Sequence, residues 1–251
     1  MLEVRNRRVI VTGASSGIGL DAVRLLHEAG AEVCLVARRG ELLAETVAEL
    51  GDRAWWHACD VSDAGQVDGL AEAVQARWGG LDCLVNNAGI APMATLEETD
   101  PETWDRIFEV NVRGPYLLCR ALGPLLKNGE SPAVVNVSSS LADRAIPGMI
   151  AYNASKAALN HMTRCLALEW APTVRVNAVM PAVVDTPIHT GRGMSHEDVE
   201  GMGAMHPLGR VGQPRDISSM VLYLLSDAAS WMTGAIIPVD GGILVSCELR
   251  S

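Results

Sequence analysis

The chain has 251 residues, 49% of them hydrophobic and 20% charged, with a formal net charge of −10. That length suits one large domain with an ample core, and aromatics at 4% mean the core is built from aliphatic residues and alanine. No basic stripe and no apolar run of membrane-spanning length is present, which argues against a nucleic-acid or membrane partner.

Short apolar runs rich in Val, Ile, Leu and Ala recur at 8–12, 32–37, 54–58, 81–86, 133–138, 174–180 and 235–239. They lack polar alternation, the mark of strands buried on both faces. Helical patterns separate them, for example at 18–29, 41–50, 64–78, 101–126 and 152–170. Gly30 suits the position just past the first helix, and Asp100 before Pro101 makes an N-cap with a first-turn proline. Seven strands joined by crossover helices predict an α/β fold in one domain: a Rossmann-type, doubly wound parallel sheet with helices on both faces. Segment 187–213, rich in Gly and Met, breaks the alternation and is expected to be a flexible substrate lid.

Six cysteines (Cys34, Cys59, Cys83, Cys119, Cys165 and Cys247) show no paired spacing. Cys34, Cys83 and Cys165 lie in apolar runs and are expected to be buried. The opening residues run directly into a strand pattern without a secretory leader, so a reducing, cytoplasmic setting is expected. His189, His196 and His206 fit no metal-ligand spacing, and no metal is expected.

The first strand pattern ends in Val11 and Thr12 and runs into Gly13-Ala14-Ser15-Ser16-Gly17-Ile18-Gly19, where a helix opens. Glycines there allow a tight turn and close approach to a pyrophosphate, whose charge the helix N-terminus favours. After the second strand, Ala37 stands where an acid would bond the ribose of NAD, and Arg38 and Arg39 follow. A guanidinium grips a phosphate with two donors, so NADP(H) is expected in preference to NAD(H). Asp60 follows the third strand and either accepts from the adenine amine or serves as a turn residue. Asn86-Asn87-Ala88-Gly89 ends the fourth, at the edge where ligands bind.

Only three tyrosines and two lysines occur, yet Lys156 follows Tyr152 by four residues. Chance produces such a pair with a probability of roughly 2–3%, so the spacing carries information. It places both side chains on one helix face, where an ammonium favours the phenolate and makes the hydroxyl a usable acid or base.

Thr12-Gly13-x-x-x-Gly17-x-Gly19, Asp60-Val61, Asn86-Asn87-Ala88-Gly89, Asn111, Ser139, Tyr152-x-x-x-Lys156 and Pro181 with Thr186 occur in that order. With the closing run from Thr233-Gly234 to Asp240-Gly241-Gly242, they make the chain resemble the short-chain dehydrogenase/reductase family. The resemblance implies that Tyr152 is the acid/base, Ser139 bonds the reacting oxygen, and Lys156 tunes the tyrosine and holds the nicotinamide ribose. Asn111 would sit at a helix irregularity and anchor a water of the proton relay. Val61, Ala88, Pro181 and Val184 would line the cofactor, and Thr186 would meet the nicotinamide carboxamide. A homotetramer and a small carbonyl or alcohol substrate are implied as well.

A narrower reading is reduction of 3-oxoacyl chains on acyl carrier protein, which is itself acidic and would be repelled by a charge of −10. Sugar-nucleotide epimerases use a similar Tyr/Lys pair but carry an added domain. A dinucleotide sensor without turnover would not need the full Asn111, Ser139, Tyr152 and Lys156 set. Two departures from the family pattern stand out. Ser16 replaces a residue that is often basic when NADP is used, and Ala182 replaces a usual glycine, which would be strained at positive φ.

Overall fold

The computed structural model describes residues 4–191 and 193–246; Cys247 lies outside them. Strands and helices alternate in the order β1 (Arg8–Thr12), α1 (Gly17–Glu28), β2 (Glu32–Ala37), α2 (Gly40–Leu50), β3 (Ala54–Ala58), α3 (Ala64–Trp78) and β4 (Cys83–Asn86). Next come α4 (Pro101–Phe108), a π-turn (Glu109–Arg113), α5 (Gly114–Leu126), β5 (Ala133–Val137), α6 (Ile150–Trp170) and β6 (Arg175–Pro181). The short α7 (Pro187–Thr190) and α8 (His196–Gly201), then α9 (Pro214–Leu225) and β7 (Ile236–Val239), follow.

The seven strands form one parallel sheet in the order β3-β2-β1-β4-β5-β6-β7. Chain order reverses direction at β1, whose neighbours are β2 and β4, so a crevice opens past the carboxyl ends of β1 and β4.

Strand side chains alternate strictly between two cores although nearly all are apolar. Val9, Val11, Val33, Leu35, Cys83, Val85, Val135 and Val137 face α1, α2 and α9. Ile10, Cys34, Val36, Leu84 and Val134 face α3, α5 and α6. The alternation is invisible in hydropathy because both faces are covered. The edge strands differ: β3 leaves Trp56 40% exposed, and β7 is only half-buried, so the expectation of burial on both faces fails at the two edges.

The cap residues act as expected. The Asp100 side chain accepts from Thr103 N, and Gly30 takes φ +96° just past α1. β4 begins at Cys83 rather than at Leu81, because Leu81 N–H turns to the Leu125 carbonyl and Asp82 binds Arg8. Cys34 and Cys83 are buried, but Cys165 is exposed. On α6 the inward positions are Tyr152, Ser155, Lys156, Leu159, Thr163 and Ala167, and residue 165 falls on the opposite side.

A buried polar chain crosses the α6 face of the sheet. Asn86 Nδ2 donates to Asn136 Oδ1 at 2.8 Å, and Asn136 Nδ2 donates to Thr163 Oγ1 at 2.8 Å. These bonds tie β4 and β5 to the helix that carries Tyr152. Thr163→Val keeps the shape but leaves the Asn136 amide without its acceptor. We expect a loss of about 1–3 kcal/mol in urea unfolding, the usual cost of an orphaned buried donor.

Candidate active site

The loop after β1 is built for close approach. Gly13 has φ +67°, and a methyl there would stand 2.7 Å from Asn87 Nδ2. A methyl on Gly19 would press into the Gly13 carbonyl oxygen, so α1 can begin on top of the loop only with glycine at that position. Thr12 and Asn87 clasp the loop to the end of β4. Thr12 Oγ1 donates to the Val85 carbonyl and accepts from Asn87 N and Ala88 N, while Asn87 Nδ2 donates to the Thr12 carbonyl at 2.8 Å. Ser16 begins α1 in extended conformation with no side-chain cap bond, and no acidic residue occupies the first turn. The N–H groups of Gly17, Ile18 and Gly19 therefore have no intrahelical acceptor and meet the crevice with the positive end of the helix. This cradle fits a dinucleotide pyrophosphate.

Across the crevice, Thr186 lies against the loop: a methyl on Gly17 would be 3.2 Å from Thr186 Cβ. Pro181 ends β6 buried, and Val184 is buried where the chain bridges to Gly212. Ala182 is not among the non-glycine residues at positive φ, so the departure from glycine costs no backbone strain. Arg38 and Arg39 are both exposed past β2. Arg39 Nη2 donates to Ser15 Oγ at 2.9 Å, bridging the strand end to the phosphate loop.

Asp60 is not left open to a ligand alone. Its Oδ1 accepts from Ser62 N at 3.0 Å and from Ser62 Oγ at 2.6 Å, and its Oδ2 accepts from Arg106 Nη2 at 2.9 Å. Partial burial pushes its pKa up, but the Ser62 and Arg106 bonds outweigh this and hold it down at about 2. Val61 beside it is buried.

Of the four residues expected to do chemistry, Tyr152 and Lys156 stand one turn apart on α6 and Asn111 lies within the π-turn, while Ser139 follows β5, where its Oγ accepts from Leu141 N at 3.1 Å; all are buried. Lys156 Nζ donates to the Val137 carbonyl at 2.8 Å and sits 5.7 Å from the Tyr152 ring centre. Desolvation lowers its pKa from the ordinary 10.5 to about 8, which leaves it mostly charged at neutral pH. Asn111 Oδ1 accepts from Ile90 N, and its Nδ2 donates to the Ile90 carbonyl and to Ser155 Oγ at 3.0 Å. Ser155 Oγ donates in turn to the Tyr152 carbonyl at 2.7 Å. Gly89 backs onto both centres: a methyl there would be 3.3 Å from Asn111 Oδ1 and 3.6 Å from Lys156 Nζ.

Ser155 and Ser138, whose hydroxyl donates to the Lys156 carbonyl, escape the sequence reading. Their only signal is adjacency to Lys156 and Ser139. Leu141, Ile146 and Met149 pack with Ala91 around Tyr152. About half of segment 187–213 is helical, in α7, α8 and a helical turn at Met202–Met205, and His189 and His206 are buried within it. Among the described residues, no group of three or more His, Cys, Asp or Glu side chains is placed to hold a metal ion. Nor is any helix long and apolar enough to cross a membrane.

The chain has relatives among known proteins. A family profile described as Enoyl-(Acyl carrier protein) reductase matches residues 13–244. The chain is 40% identical to cis-4-hydroxycyclohexanecarboxylate dehydrogenase of Sinomonas cyclohexanicum, over 94% of this chain and 96% of that one. It is 37% identical to cyclopentanol dehydrogenase of Comamonas testosteroni, over 96% and 98%. The fold superposes with a TM-score of 0.89 on 3-ketoacyl-(acyl-carrier-protein) reductase from Brucella melitensis complexed with NADH, at 35% identity over 97% of this chain and 100% of that one. From the phosphate loop to the Tyr152/Lys156 helix, the chain belongs to the short-chain dehydrogenase/reductase family of oxidoreductases.

Proposed function

We propose that the protein interconverts a small secondary alcohol and its ketone, with Tyr152 as the acid/base. The observation that carries this reading is the buried Lys156 ammonium, 5.7 Å from the Tyr152 ring and one helical turn away. A bound nicotinamide dinucleotide would supply or accept the hydride at the carbinol carbon. Tyr152 Oη gives its proton to the substrate oxygen during reduction and removes it during oxidation. Ser139 Oγ donates to the same oxygen and fixes its direction. Lys156 Nζ holds the phenolate electrostatically, and Asn111 keeps the helix turn beneath it open for proton exchange. Leu141, Ile146 and Met149 around Tyr152 favour an apolar carbon frame in the substrate, in keeping with the cyclic alcohols named for the two dehydrogenases above.

The finer reading is a preference for NADP(H). The absence of an acid at Ala37, the exposed Arg38, and Arg39 leaning over Ser15 all support it. Copies are proposed to assemble as a homotetramer through α5 and α6, whose Tyr116, Ile150 and Leu168 are exposed at 51%, 42% and 83%. Cys34, Cys59, Cys83, Cys119 and Cys165 are free thiols, which suits a reducing cytoplasm.

Turnover of cyclic and linear ketones with NADPH tests the reading. Tyr152→Phe is expected to lose roughly 10²–10⁴ in kcat, the usual worth of an acid–base group; near-normal activity would remove Tyr152 from the mechanism. Fluorescence titration should show NADPH binding more tightly than NADH, and equal affinities would defeat the Arg38 argument. The Lys156 environment predicts a pH signature in stability. Below pH 8 the amine is charged in both folded and unfolded chains, and burial costs the folded state in full. Between about 8 and 10.5 the folded chain gives up the proton first, so the wild type gains on Lys156→Met as pH rises. The gain should be on the order of 3 kcal/mol, read from urea unfolding of both proteins across that range.

A further inference from the structure

The loop after β3 and the turn that carries Asn111 are remote in sequence, and two arginines fasten them together. Arg106, in the last turn of α4, donates from Nη2 to Asp60 Oδ2 at 2.9 Å and from Nη1 to Ser62 Oγ at 2.6 Å. Its Nη1 also reaches Glu109 Oε2, at the start of the π-turn, at 3.3 Å. Arg113, at the end of that turn, donates from Nη1 to the Ser62 carbonyl at 2.6 Å. Just past the second grip the chain packs closely on Val61: a methyl on Gly114 would stand 2.9 Å from Val61 Cγ2 and 3.3 Å from the Val61 carbonyl oxygen. Asp60, Val61 and Ser62 are thus each held by the segment that brackets Asn111.

The bonds also decide what Asp60 can offer to a ligand. A carboxylate has about four acceptor positions. Ser62 takes both on Oδ1 and Arg106 takes one on Oδ2, so a single position on Oδ2 remains for an outside donor. That one lone pair is aimed by Arg106. Without the guanidinium the carboxylate is held only through Oδ1 by Ser62, Oδ2 is left without a protein donor, and Ser62 loses a donor to its hydroxyl.

We propose that Arg106 is a positioning residue. It aims Asp60 at the amino group of an adenine and, through the same fork, sets the π-turn that holds Asn111. Binding at the adenine end and proton transfer at the far end then depend on one side chain. The inference rests on the dehydrogenase reading for its kinetic consequence but not for its binding consequence. A planar fork reaches several acceptors at once, which the point charge of a lysine does only in part.

The test is made on the full chain with Arg106→Gln, Arg106→Lys and Ser62→Ala. For Arg106→Gln the dissociation constant of 5′-AMP by calorimetry and the KM for the dinucleotide are each expected to rise about tenfold. Its kcat should fall by about three- to tenfold, while the ketone KM stays within about twofold. These effects are smaller than the roughly hundredfold that a 1 Å displacement near the chemistry can cost. Arg106→Lys should recover part of both losses. Combined with Asn111→Ala, Arg106→Gln should add little further loss in kcat, because both act through one turn. AMP affinity and dinucleotide KM within twofold of wild type, or losses that multiply fully with Asn111→Ala, would overturn the proposal. Should Arg106→Gln fail to fold, Ser62→Ala decides: AMP affinity about threefold weaker supports the clamp, and unchanged affinity overturns it. If the wild type reduces no ketone, the dehydrogenase reading fails, and the AMP measurements still judge Arg106.

Discussion

A lysine ammonium taken out of water must be compensated, and the half of this protein proposed to be catalytic is arranged around that requirement. Lys156 is 4% exposed, and the Val137 carbonyl at the end of β5 receives it at 2.8 Å. That bond demands that α6 lie across the end of β5 at one height and one rotation. The Ser138 hydroxyl on the Lys156 carbonyl and the link from Asn111 through Ser155 to the Tyr152 carbonyl enforce the same placement. Tyr152 is consequently not free to choose its position: it is wherever the amine one turn along has been pinned. The energetic cost of the buried charge is visible in the fall of its pKa to about 8.

The half proposed to hold the cofactor is stiffened by different means. There the strand ends of β1 and β4 are joined by Thr12 and Asn87, whose side chains bond backbone groups of the opposite loop. Side chains that satisfy loop backbone leave the remaining first-turn N–H groups of α1 as the ones facing the crevice. The sheet order then brings the two halves together, since β4 pairs with β1 on one side and β5 on the other. One rigid layer therefore carries the phosphate loop, Gly89 and Ser139.

Much of the fold was legible because its strands are short, aliphatic and separated by helices with clear caps, as at Asp100-Pro101 and Gly30. A candidate site was legible for another reason: Tyr152 and Lys156 are rare residues at a meaningful spacing, and glycines mark the loop after β1. What escaped depends on contacts between distant positions. Nothing near Arg106 or Arg113 announces that each will reach back to the loop after β3. Cys165 was misjudged because an apolar run on a helix does not share one face. The edge strands β3 and β7 are less buried than their composition predicts, because hydropathy cannot say which strand lies outermost.

The π-turn between α4 and α5 has a consequence for how this helix pair can evolve or be edited. A wider turn holds one residue more than the regular spiral, and each residue advances the helix by about 100°. Deleting a residue from Glu109–Arg113 would restore ordinary winding, and because the wide turn absorbs that residue's share of rotation, Leu117, Leu118, Leu122 and Leu126 would stay buried against the sheet. What the deletion would displace is Asn111 and its two bonds to the Ile90 backbone. The irregular turn is thus protected by the polar side chain it carries rather than by the apolar stripe that follows it.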